Sequence, residues 1–105
     1  MPAAQVDLPA ETIAQFCRDW KINRLEIFGS VLRDDFRPDS DVDFLVTFAP
    51  EARWSLFDFV HIQEALSQIL HRPVDLVERS VVERSRNPFR KKSILESAQL
   101  LYAKS

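Results

Sequence analysis

The chain has 105 residues, 46% of them hydrophobic and 29% charged, and a net charge of −2 at pH 7, which fits one globular domain over residues 1–105 and excludes an intrinsically disordered chain. Slight acidity argues against a binder that relies on bulk attraction to nucleic acid, so no direct nucleic-acid contact is expected. One cysteine, Cys17, excludes a disulfide framework or thiolate cluster and suits a reducing cytoplasm, while neither a membrane-length apolar run nor a basic-then-apolar secretory leader is read, so no membrane association is expected.

Leu8-Pro9-Ala10-Glu11 starts a helix, since Pro is tolerated in the first turn and an acid there is favoured by the dipole. Ile13, Phe16, Cys17 and Trp20 follow at i, i+3, i+4 and i+7 as one apolar stripe, and Lys21 and Asn23 end the helix. Cys17 on that stripe reads as a core residue. Arg24 to Phe28 alternates at Leu25 and Ile27 and is the first strand, closed by Gly29-Ser30. Val31 to Asp34 makes at most a short helix, and Asp35 to Ser40 is a loop by its turn chemistry.

Asp41 to Phe48 is the second strand, whose Phe44-Leu45-Val46-Thr47-Phe48 half is apolar on both faces, as a central covered strand requires. Trp54 to His71 is a long helix with Leu56, Val60, Leu66, Ile69 and Leu70 inward, stopped by Pro73. Trp54, Phe57 and Phe59 read as packing residues in preference to a base-stacking surface. Val74 to Val77 is the third strand, and Ile94, Leu95, Ala98, Leu101 and Tyr102 mark a final helix. The order αβ(α)βαβα predicts an α/β domain around a small sheet of about three strands, whose open edges leave room for a homodimer or a heteromeric complex.

Only one residue in the chain is Gly, Gly29, where roughly seven are expected. At a strand-to-helix turn a glycine lets the backbone approach a ligand, and Ser30 can cap the next turn, whose N–H groups favour a phosphate. Ten residues later, Asp41-Val42-Asp43 puts two carboxylates on one face of a strand, about 6.5–7 Å apart. Paired hard oxygen ligands suit Mg²⁺ or Mn²⁺ rather than zinc. Asp75 interrupts the apolar Val74-Asp75-Leu76-Val77 strand, and a carboxylate there is costly without a partner. If the second and third strands are neighbours, the three Asp share a face beside a phosphate turn, as two-metal phosphoryl chemistry requires. Against this stand the bland readings of a solvated acidic loop and a capped turn.

At these residues the sequence resembles the minimal nucleotidyltransferases of the DNA polymerase β-like superfamily. The resemblance rests on Gly29-Ser30, Asp41-Val42-Asp43 and Asp75, with Arg37-Pro38-Asp39-Ser40 before the acid pair and Asn87-Pro88-Phe89 opening the last helix. It implies a mixed sheet flanked by helices, ATP as the nucleoside triphosphate substrate, and Mg²⁺ as two ions, with Mn²⁺ an alternative. Asp41 and Asp43 would ligate both metals, Asp75 would complete the catalytic metal's shell, and Gly29 and Ser30 would hold the triphosphate. The implied activity is transfer of AMP to a tyrosine hydroxyl of a HEPN-domain toxin, which makes the chain its antitoxin. The alternative is a non-catalytic antitoxin that masks the toxin by stoichiometric binding. After Gly-Ser the family often carries small residues and a further glycine, where this chain has Val31-Leu32-Arg33-Asp34-Asp35. From Arg79 to Lys92 six basic residues face one acid, Glu83; the first reading is a solvated connector, the second a docking surface for the partner or a clamp on the triphosphate.

Overall fold

In the computed structural model, which describes residues 9–29 and 41–104, the chain runs through α1 (Ala10–Asp19), β1 (Ile22–Phe28), β2 (Val42–Phe48), α2 (Leu56–Leu70), β3 (Val74–Glu78), α3 (Arg79–Glu83), α4 (Pro88–Ser97) and β4 (Gln99–Ala103). The short helix expected at Val31 to Asp34, the loop after it and Ser30 lie outside the described residues. The strands form a mixed sheet in the order β3-β2-β1-β4. β1 pairs antiparallel with β2 and β4, while β2 and β3 are parallel and joined through α2, since a parallel pair needs a crossover.

Helix boundaries follow local chemistry. Glu11 in the first turn and Arg18 in the last complement the α1 dipole, and Lys21 adopts a left-handed φ of 55° that turns the chain into β1. Ser55 and Asp58 form a reciprocal capping box at the start of α2, and His71 closes it in the left-handed conformation. At α4, the Asn87 side chain accepts from the N–H groups of Phe89 and Arg90, with Pro88 in the first helical position. The Trp54 indole donates to the Trp20 carbonyl at 2.9 Å, and the two rings meet edge to face.

Each face of the sheet carries its own core. On one, Leu25, Ile27, Val42, Phe44, Val46, Val74 and Leu76 pack with Ile13, Phe16 and Cys17 of α1 and Ile62, Leu66 and Leu70 of α2. On the other, Phe28 and Leu45 pack with Val82 of α3 and Ile94 of α4, and Val77, Leu95 and Ala98 flank them. Covering on both sides is why β2 lacks alternation.

Two expectations are corrected. The inward stripe of α2 is Ile62, Leu66 and Leu70; Leu56 is 78% exposed, Val60 is exposed and Phe57 is 82% exposed. With apolar residues on every side of its first turns, the helix offers no unique stripe to count, and only the sheet below selects one. The final helix stops at Ser97, and Leu101 and Tyr102 belong to β4, a fourth strand beyond the expected three. Ala98 turns extended there, and Leu101 and Tyr102 still pack against the first core. The free edge of β1 supplies the partner that no sequence window displays.

Candidate active site

β1 ends at Phe28, and Gly29 takes a left-handed φ of 83°. That angle alone favours glycine. A Cβ at this position would also run into the Asp43 carboxylate, inside any real contact distance. The lone glycine thus has a structural reason: the backbone turn and an acidic side chain occupy the same small space.

Asp43 is the second residue of β2, opposite Phe28 of β1 on one side and Asp75 of β3 on the other. Neighbours in register share a face. That face is the α3–α4 side, because Leu45 and Val77, two residues further along each strand, pack there, whereas Val74 and Leu76 point the other way. Asp43 and Asp75 therefore stand side by side, about one strand spacing of 4.8 Å apart at the backbone. Asp75 is exposed and Asp43 half-buried. Asp41 is exposed, one residue ahead of the first paired position of β2. Among the described residues no three acidic, His or Cys side chains close tightly enough to enclose an ion. The arrangement is an open acidic pair with Asp41 at its rim, and like charge keeps such carboxylates apart. Its donors are carboxylate oxygens, hard ligands that fit Mg²⁺ or Mn²⁺.

One row deeper on the same face lies a residue that sequence reasoning missed. Glu26 faces Leu45 across β1–β2 and is only 4% exposed. Its carboxylate accepts from Arg79 Nη1 at 2.5 Å, and Arg24 Nε lies 3.2 Å away. Arg79, the first residue of α3, also pairs with Glu83 at 3.2 Å. Burial pulls the Arg79 pKa down, but hydrogen bonds to and charge from Glu26 and Glu83 outweigh it and raise the pKa above its ordinary value. A Glu between Leu25 and Ile27 reads as the solvent side of an alternating strand. The available signal was that β1 needs both faces covered in a sheet this small, so its one acid needed a base.

Cys17 is fully buried, and burial pushes its thiol up to about 12, against a smaller opposing effect of Arg18. It is a packing residue and no nucleophile. No helix among the described residues is long and apolar enough to cross a membrane.

Comparison with known proteins adds to this geometry. Residues 10–101 match the family model described as nucleotidyltransferase domain. Protein adenylyltransferase MntA of Thermococcus cleftensis is 41% identical over 59 residues, 56% of this chain and 58% of that protein. A toxin–antitoxin crystal structure with AMP-PNP superposes at a TM-score of 0.68, with 21% identity, over 93% of this chain and 76% of that one. A tri-AMPylated Shewanella oneidensis HEPN toxin in complex with its MNT antitoxin gives a TM-score of 0.60 at 21% identity, over 90% of this chain and 70% of that one. The four-strand mixed sheet flanked by helices is the fold these structures share with this chain.

Proposed function

Since this chain belongs to the nucleotidyltransferase domain family, we propose that it transfers AMP from ATP to a tyrosine hydroxyl of a HEPN-type toxin and so acts as that toxin's antitoxin, as a single domain in the cytoplasm. The acceptor oxygen attacks the α-phosphorus of ATP, the bond to the bridging oxygen breaks, AMP is left esterified to the acceptor, and pyrophosphate departs. Asp41, Asp43 and Asp75 would hold the divalent cations. When bound, two Mg²⁺ or Mn²⁺ ions supply neutralising charge for the triphosphate and ease ionisation of the acceptor hydroxyl.

The chain's own residues do the positioning. Asp75, exposed at the sheet edge, stands where an incoming protein chain can reach and would take the acceptor proton. Gly29, without a Cβ, lets the backbone and Ser30 approach the triphosphate while leaving the Asp43 carboxylate its place. The observation that carries the reading is the Asp43–Asp75 register pair beside that glycine. Two comparisons bear on the partner: a similar chain that is a protein adenylyltransferase, and a similarly folded one in the complex of an AMPylated HEPN toxin with an MNT antitoxin.

The test is to incubate the chain with Mg²⁺, ATP and the HEPN-type protein encoded beside it and to weigh that protein by mass spectrometry. A gain of one or more AMP units, absent with Asp41→Asn/Asp43→Asn, is expected. No gain, together with full protection of toxin-expressing cells by the double variant, would leave masking by stoichiometric binding as the function.

A further inference from the structure

The α3–α4 hairpin carries charge opposite in sign to the rest of the chain. Residues 79–92 hold six of the 14 Lys and Arg but one of the 16 Asp and Glu, which leaves the remainder at −7, eight bases against fifteen acids. Arg79 is committed to Glu26 and Glu83. Arg84, Arg90 and Lys91 instead line a cavity of about 440 Å³ between the two helices. Among the described residues no carboxylate pairs with any of these three. The cavity is also lined by Val77, Val82, Ile94 and the 53% exposed Val81, and Phe89, next to Arg90 in the chain, is 85% exposed. An apolar lining combined with three cations suits a short amphipathic anionic segment.

Position narrows the occupant. Val77 lies two residues beyond Asp75 on the same face of β3, so the cavity begins about 7 Å from the acidic pair. We propose that this cavity receives an acidic segment of the protein that supplies the acceptor hydroxyl, with carboxylates about two to four residues from that hydroxyl in an extended chain. The inference rests on the transfer reaction proposed above and names how its protein substrate is held. Charge distribution favours a peptide over nucleic acid, because outside residues 79–92 the chain carries a net −7, which repels the length of a polyphosphate strand. Carboxylates confined to one short segment meet the cations and leave that repulsion behind. An apolar side chain between them meets the apolar lining, which a phosphate backbone cannot.

The experiment uses the full chain without nucleotide or divalent ion, so that its outcome is independent of catalysis. Fluorescence anisotropy compares a labelled peptide, a central Tyr flanked by Leu and by Glu and Asp two to four residues away, with its Lys-substituted counterpart and with a single-stranded RNA of about 20 nucleotides. Saturable binding of the acidic peptide is expected. It falls at least tenfold in the Arg84→Glu/Arg90→Glu/Lys91→Glu variant and less than threefold in Arg86→Glu/Lys92→Glu, whose side chains lie outside the cavity. An Arg84→Lys/Arg90→Lys variant retains binding, and thermal melts confirm that each variant is folded. Tighter binding of RNA than of peptide, equal loss in both reversal variants, no saturable binding, or a homodimer dissolved by the cavity reversals would each overturn the proposal. AMP transfer is assayed separately: peptide binding without transfer breaks the catalytic reading alone, and transfer without peptide binding breaks this one alone.

Discussion

Two adjacent rows on one face of the sheet treat carboxylates in opposite ways. In the inner row, Glu26 is sealed beneath α3 and held by Arg79. In the outer row, Asp43 and Asp75 stand level with each other, and Asp75 is exposed. Burial explains the difference. A carboxylate removed from water must be given a cation by the fold itself, at a desolvation cost of several kcal/mol for each ion. Asp75, exposed on the edge strand β3, keeps its hydration, with the half-buried Asp43 beside it. The inner pair is therefore structural, and the outer pair is where we propose that the cations are held, although the four strands and the face are the same.

Mutating one member of each row separates these roles. Asp43→Asn is expected to lower AMP transfer by about 10³-fold or more while moving stability by less than about 1 kcal/mol. Glu26→Ala should do the reverse. It removes the buried partner of Arg79 and leaves that guanidinium only Glu83, costs about 1–3 kcal/mol in urea unfolding, and leaves transfer by the folded fraction within a few-fold of wild type. Equal damage to activity from the two substitutions would erase the distinction between the rows.

The outer row was legible in the sequence and the inner one was not. Asp41, Asp43, Asp75 and Gly29 announce themselves by fixed spacing and by interrupting apolar strands, and such signals are local. The pairing of Glu26 with Arg79 spans 53 residues and becomes visible only once β3, β2 and β1 are laid side by side. β4 was hidden for the same reason: Leu101 and Tyr102 satisfy a helical period as well as a strand, and the free edge of β1 decides between them. Likewise, Ile62 is buried and Leu56 exposed on α2, a choice that the apolar residues around its first turns do not make by themselves. Periodicity located the elements; what each one packs against fixed which residues count.

Gly29→Ala probes the outer row through its backbone. A left-handed alanine costs about 1–2 kcal/mol, and its methyl takes the space of the Asp43 carboxylate. Transfer should therefore fall well beyond what the modest loss of stability explains. If the unfolding midpoint shifts but transfer per folded molecule does not, the glycine serves only the turn.

The smallest expected effect sharpens the inner row. Glu26 has two basic neighbours, but the Arg24 side chain is 47% exposed against 25% for Arg79. An ion pair open to water is worth about 0–1 kcal/mol and is screened by salt, whereas a sealed one cannot lose a partner cheaply. Arg24→Ala should thus cost less than about 1 kcal/mol and become undetectable near 0.5 M NaCl, while the cost of Arg79→Ala persists at that ionic strength. Denaturant unfolding of the two variants at low and high salt measures this directly. Matching costs with matching salt dependence would mean that Glu26 is wetter than its position beneath α3 implies, and the contrast between the two rows would shrink to one of degree.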